Sequence, residues 1–247
     1  MYLNLKESEL KQYVYRTISL DRLIELFKTS ENTLVKPELW DDTFENFVLK
    51  SKLHTPNGKI IEYDVHKRIY GQCWTLEKSS DAMWRIYSPD KNSIRIRTTI
   101  EKLLDSISIA TVGTKYCEHS IGKVEYLAEK NLIRRAKDTF EKDGQITFGN
   151  LFKSLLIKRK AFKHENEIRL LFLDWSEDAG KNKIFKYSIE PHKLFSQMMI
   201  DPRIPYGEFK QIELDIRNKT GFKGNIKRSL LYRLPEDLLF NVSEPKT

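Results

Sequence analysis

The sequence predicts an α+β domain, built on a mixed, mainly antiparallel sheet flanked by helices. Three observations predict it. Strand-like and helix-like stretches follow one another without the regular alternation that a parallel βαβ sheet requires. Short apolar–polar alternations such as Ser93-Ile94-Arg95-Ile96-Arg97 mark strands with one face in a core. Neither an internal repeat nor a low-complexity linker divides the 247 residues, so residues 1–234 read as one domain and 235–247 as a loose polar tail. With 40% hydrophobic residues the chain can bury a core without disulfides or metals.

Taken in order, Tyr13-Val14-Tyr15-Arg16 has strand composition. Ser19 caps a helix whose Leu20, Leu23, Ile24 and Phe27 fall at helical spacing. Thr33 to Pro37 reads as an extended segment stopped by proline. From Trp40-Asp41-Asp42-Thr43-Phe44-Glu45 a helix is expected to about Leu53, then a turn at Thr55-Pro56-Asn57-Gly58 and a second helix from Ile60 to Tyr70. Gly71 to Leu76 is a buried strand, and Ser79-Ser80-Asp81 caps a helix carrying Met83, Trp84 and Tyr87. After the Ser93–Arg97 strand, Thr98-x-x-Glu101 forms a capping box for a helix with Ile100, Leu103 and Leu104. Ile107 to Tyr116 and Lys123 to Leu127 read as strands, Glu129 to Lys142 as a basic helix ended by Asp143-Gly144, and Phe148 to Lys160 as an apolar helix. A strand then begins at His164. Further strands follow at Ile184–Tyr187, Gln197–Ile200 and Asn225–Leu231, with a helix from Tyr206 to Thr220.

Composition narrows the function classes. The formal charge of +8 suits a nucleotide or nucleic-acid partner, and equally a lysine-coated surface with no partner. No apolar run is long enough to cross a membrane, and the N-terminus lacks a signal-peptide core, so no membrane association and a cytoplasmic location are expected. Cys73 and Cys117 read as reduced, buried thiols, and five scattered histidines give no metal-ligand spacing, so no metal is predicted. No Walker A loop, G-x-G-x-x-G or G-x-S-x-G is present. Nothing in the sequence speaks for or against a protein partner or homo-oligomer.

The richest stretch is His164-Glu165-Asn166-Glu167-Ile168-Arg169, running into Leu170 to Leu173. On a strand, Glu165, Glu167 and Arg169 share one face and Asn166, Ile168, Leu170 and Phe172 the other. Two carboxylates and a guanidinium at the mouth of a buried strand can bind a ribose, steady a developing cation or transfer protons; they can also be an ion-pair ladder. A second group is Cys73-Trp74-Thr75 with Trp84, Tyr87, Arg95 and Arg97. Trp84 and Tyr87, three apart on one helix, either stack on a base or nicotinamide or belong to the core. Arg95 is a candidate ligand contact. Asp41-Asp42-Thr43-Phe44-Glu45 is better explained by helix capping than by a metal or sugar site. Between Arg203 and Arg233 stand eight Lys or Arg against three acidic residues, a nucleic-acid surface or a solvated one.

Several of these pieces also carry a resemblance. Val14-Tyr15-Arg16, Trp40–Glu45, Cys73-Trp74-Thr75, Met83-Trp84-Arg85-Ile86-Tyr87 and Phe162–Arg169 follow, in order and rough spacing across residues 13–205, the motifs of a widespread bacterial and phage family described only as a domain of unknown function. Thr43, Thr75 and Phe162 replace the proline, serine and tryptophan usual there, and Ser93 stands near a missing glycine. Members of that family often look like components of phage defence or mobile elements, which implies a defence or toxin effector. More distantly, the order resembles that of ADP-ribosyltransferases, with Arg16 on an early strand, Thr75 on a middle one and Glu165-x-Glu167 late. That resemblance implies Glu167 and Glu165 as the catalytic pair, Glu167 at the nicotinamide ribose and Glu165 steering the acceptor. It implies NAD as substrate, with Arg16 at its phosphate or ribose, Thr75 in the middle-strand slot and Trp84 or Tyr87 on the nicotinamide; Arg95 and Arg169, singled out from the residues themselves, complete the expected binding residues. Two further readings stay open: a nuclease or nucleic-acid-binding effector that uses the same carboxylates, and a non-catalytic sensor or interaction module.

Overall fold

The computed structural model describes all residues except 55, 56, 63, 142–146, 178, 234–238 and 241–247. The expected turn at 55–58, the helix end at 143–144 and the tail from 235 lie wholly or partly outside the described residues. In chain order the elements are β1 (Tyr2–Leu3), β2 (Tyr13–Ser19), α1 (Leu20–Thr29), β3 (Glu31–Val35), β4 (Lys52–His54), β5 (Ile60–Glu62) and β6 (Ile69–Thr75). They continue with α2 (Asp81–Tyr87), β7 (Ser93–Thr99), α3 (Ile100–Ala110), β8 (Cys117–Lys123), β9 (Glu125–Leu127), α4 (Glu129–Glu141), α5 (Phe148–Ser154) and β10 (Ile157–Arg159). The last are β11 (Glu167–Asp174), β12 (Ile184–Ser188), α6 (Pro191–Leu194), β13 (Gln197–Ile200), α7 (Tyr206–Thr220) and β14 (Asn225–Arg228).

The fold is α+β around one large mixed sheet. Its main path runs β1-β8-β11-β6-β2-β7-β13-β14, with β3 joined to β6 and β12 to β3. The pairings are antiparallel except β1 with β8 and β13 with β14, within this sheet. The alternation of side chains along β11 sorts the core. Ile168, Leu170 and Phe172 join Val14, Ile18, Ile94 and Ile96 on one face, beneath α1 and α3. Leu171 and Leu173 join Leu151, Phe152, Leu155 and Leu156 on the other. Each such fully buried side chain contributes roughly 1.5–3 kcal/mol.

β6 is the branch point. Along one edge it pairs with β11 from Ile69–Leu173 to Thr75–Glu167. Along its other edge it meets β3 at Gly71–Val35 and β2 at Tyr15–Thr75. Between those two points, residues 72–74 have no strand opposite them among the described residues. A seam therefore opens in the middle of the sheet.

Several expected elements differ. The helix expected from Trp40 to Leu53 is a 3-10 turn at Thr43–Asn46 followed by β4, and the helix expected from Ile60 is β5, a 3-10 turn at Asp64–Lys67 and the start of β6. β4 and β5 pair only with each other, too short for strand periodicity to register in the sequence. The strand expected from Ile107 is instead the end of α3, because Ile100, Leu103 and Ile107 repeat at helical spacing and are all buried. Thr99, not Thr98, caps α3, with its hydroxyl accepting from Lys102 N at 3.3 Å. Thr98 points into the core beside the β7 isoleucines and cannot reach the helix end. The expected Phe148–Lys160 helix stops at Ser154, and its last residues form β10 beside β9. The strand expected from His164 starts at Glu167, after a 3-10 segment over Lys160–Glu165. Among the described residues no helix is long and apolar enough to cross a membrane.

Candidate active site

The seam in the sheet is the mouth of a 440 Å³ cleft. β6 supplies Gln72, Cys73, Trp74 and Thr75, β2 supplies Tyr15, Arg16 and Thr17, and α2 supplies Met83, Ile86 and Tyr87. Lys158, Glu165 and Glu167 also line it. Strands β11 and β2 flank β6, so the carboxylates and Arg16 enter the cleft from either side of that strand.

The carboxylates are delivered by a local kink. Asn166 sits in the left-handed region at φ 44°, a conformation asparagine tolerates better than most residues. Its side chain donates to Glu77 Oε1 at 2.9 Å, and its carbonyl accepts from Leu76 N at 3.0 Å. The kink lets Glu165, which precedes the strand, converge with Glu167, its first residue. Thr75 stands opposite Glu167 in the ladder and its hydroxyl donates to the Glu165 carbonyl at 2.6 Å, fixing that main chain. Tyr126 OH accepts from Glu167 N at 2.9 Å.

Two cations hold the carboxylates. Lys158 Nζ donates to Glu45 Oε1 at 2.7 Å, to Glu167 Oε1 at 2.6 Å, and to Glu165 Oε2. Arg169 donates through Nε to Glu167 Oε2 and through Nη2 to Glu45 Oε2, both at 2.8 Å. Its Nη1 donates to the Leu155 carbonyl, also at 2.8 Å. All five side chains are buried. The Trp40 ring lies 4.5 Å from the Arg169 guanidinium, and it fits there because residue 71 is glycine: a Cβ on Gly71 would stand 2.7 Å from Trp40 Cζ2. Glu45 is placed by Asp42, which caps the 3-10 turn by accepting from Phe44 N at 3.0 Å and is paired with Arg159 at 2.7 Å.

Burial and charge divide the carboxylates' proton affinities. Burial, with Glu167 close by, pushes Glu165 up to about 7. Burial works to raise Glu167 as well, but Arg169 and Lys158 outweigh it and hold it well below the usual carboxylate range. Burial raises Glu45. Lys158 is held up by Glu167 and Glu45 against the effect of burial, so it stays charged. Burial and the Glu165 charge raise Tyr87, whose hydroxyl donates to Glu165 Oε1 at 3.0 Å. Three carboxylates against two cations leave an excess of negative charge at this end of the cleft whenever all are ionised.

The other side is the reverse. Arg16 has no hydrogen bond or ion pair to any described residue, and burial lowers it to about 10. Arg22, exposed in the first turn of α1, lines the same wall without an acidic partner among the described residues.

Of the residues singled out in the sequence, Arg16, Thr75, Tyr87, Glu165 and Glu167 thus meet in one cleft. Arg169 lies fully buried beneath it. Trp84 and Arg95 lie outside its lining: Trp84 is in the core, and Arg95 lies 5.7 Å from the Trp84 ring and 4.8 Å from the Tyr15 ring. Lys158 is a member of the cluster that the sequence did not single out, and Glu45 one that was weighed within Asp41–Glu45 and assigned to helix capping. For Lys158 the available signal was a lysine directly after the apolar run Leu155-Leu156-Ile157. Cys73 lines the cleft half-buried, and both cysteines are free thiols. In the basic C-terminal third, Arg203 is committed to Asp201 and the Trp84 carbonyl, Arg217 to Glu213, and Arg228 to the Ile204 carbonyl.

The model of a family described as "Protein of unknown function (DUF2971)" matches residues 83–170, which span both the Met83–Tyr87 and the Glu165–Arg169 motifs. No curated protein matches the sequence significantly. Among solved structures, the chain is similar to Thermus sp. 2.9 DarT in complex with ADP-ribosylated ssDNA, at 8% identity and a TM-score of 0.40, covering 89% of this chain and 94% of that one. It is also similar to Thermus sp. 2.9 DarT in complex with NAD+, at 9% identity and a TM-score of 0.37, covering 88% and 96%.

Proposed function

We propose that this protein is an ADP-ribosyltransferase-like enzyme that consumes NAD. The observation that carries the reading is the polarity of one cleft: carboxylates that outnumber the cations holding them on one side of β6, and arginines without partners among the described residues on the other. NAD has the same polarity. Its nicotinamide–ribose end is cationic, with the charge passing from the nicotinamide ring to the ribose as the glycosidic bond stretches, and its diphosphate is anionic. A buried charge aimed at a developing cation acts strongly because little water screens it.

In this reading Glu167, kept ionised by Arg169 and Lys158, faces the ribose as an oxocarbenium-like centre forms. The bond between ribose C1′ and the nicotinamide nitrogen breaks, its electron pair leaves with neutral nicotinamide, and the acceptor's nucleophile bonds to C1′. Glu165 takes the proton that the acceptor loses. Arg16 and Arg22 hold the diphosphate. A nuclease that used these carboxylates as metal ligands would have to displace Lys158 or Arg169 from their oxygens.

The test is incubation with labelled NAD and cell lysate, following nicotinamide release and label transfer. Wild type is expected to do both, and Glu167→Gln to lose roughly 10²-fold or more in rate. No nicotinamide release and no transfer by the wild type would sink the reading.

A further inference from the structure

An ammonium group has three N–H bonds. In Lys158 all three are taken by carboxylates, one each from Glu45, Glu165 and Glu167. Arg169 takes the second oxygens of Glu45 and Glu167. Five of the six carboxylate oxygens are therefore held by a buried cation. The sixth, Glu165 Oε1, is held by the Tyr87 hydroxyl, on a residue that is 42% exposed at the cleft wall.

We infer that Lys158 is a positioning residue: its ammonium binds three carboxylates into one rigid unit and leaves Glu165 Oε1 as the oxygen of the cluster that no cation holds, the one placed to take the acceptor's proton while Glu167 acts through its charge. The inference deepens the transferase reading, and rests on it only for the ligand's identity. Geometry makes lysine hard to replace here. A single nitrogen radiates three donors toward three carboxylates, whereas arginine offers a planar fork with the same charge. Without the ammonium, three buried carboxylates would share one guanidinium, and proton uptake would relieve their repulsion. The titratable groups facing Glu165 are Lys158, Glu167, Tyr87 and Tyr126, with Glu45 across the ammonium. His164 lines the same cleft.

The experiment is a carbon-detected NMR titration of the glutamate carboxyls in full-length wild type, Lys158→Arg, Lys158→Met and Tyr87→Phe, alongside kcat and KM against pH. In wild type, Glu165 is expected to titrate near neutrality while Glu167 stays ionised into the acid range. Lys158→Met should raise the Glu165 midpoint by about one unit or more. Lys158→Arg should lower kcat more than it raises KM. Tyr87→Phe, a change at a part-exposed residue, should raise Glu165 alone, since it removes the donor to the sixth oxygen. If Lys158→Met does not fold, Tyr87→Phe still decides. A Glu165 midpoint that stays put in the folded variants, or three carboxyls that move together in Tyr87→Phe, would overturn the inference. A wild type that releases no nicotinamide would instead refute the NAD reading, and the titration would still judge the positioning role.

Discussion

Arg16 shows what a single side chain can reveal. It lies on the same strand face as Val14 and Ile18, both core residues, yet among the described residues no carboxylate answers it. Removing charge from water without a partner is costly, so an arriving anion recovers much of that cost. Arg16→Ala is therefore expected to weaken binding of a nucleoside diphosphate by about 10- to 100-fold, or roughly 1.4–2.8 kcal/mol, with folding intact. Calorimetric titration against circular dichroism of the same sample checks both parts. Glu165, Glu167 and Arg169 were legible in the sequence because charge at the mouth of an apolar strand is conspicuous. Lys158 and the role of Glu45 were not, because the one reads as local surface charge and the other as part of a helix cap until the fold brings residues 45, 158 and 167 together. Their meaning is a contact across more than a hundred residues, which no local pattern encodes.

Elements position these side chains, and two are open to direct test. Asn166 makes the left-handed step that separates Glu165 from the strand. Asn166→Ala should cost about 1–2 kcal/mol through backbone strain, and the lost Glu77 bond adds to it. A lower urea midpoint, together with a reduced turnover rate, is the expected outcome. Gly71→Ala would drive a methyl group against Trp40, and with it the ring packed on Arg169. The expected loss is about 1–3 kcal/mol, read from thermal unfolding, with a shift in tryptophan fluorescence. β2, β7, β13, α1 and α7 were legible in the sequence, since each spans enough residues for its period to show. β4, β5 and β10 have three residues each, and the paired partner decides their conformation. The end of α3 was misread because its β-branched residues favour strands, and burial at helical spacing overrode that preference.

On the scale of the whole molecule, the carboxylate cluster ties stability to pH in two opposite senses. Glu165 is raised from 4.5 to about 7, so the folded state binds its proton more tightly than the unfolded chain does. Its contribution is fully present below about 4.5 and is lost as pH rises through about 7. Glu167 is depressed, so its contribution is present above the usual carboxylate range and is lost as pH falls toward its folded value. Urea midpoints measured from pH 4 to 8 should reveal the first slope in wild type, and Glu165→Gln should flatten it. The sheet that carries this cluster is joined across its seam by the Tyr15–Thr75 bridge. One residue pair therefore sets the spacing between the two charged walls: β11 with Glu167 lies on one side of it and β2 with Arg16 on the other. The jaws of the cleft are the two halves of the sheet itself.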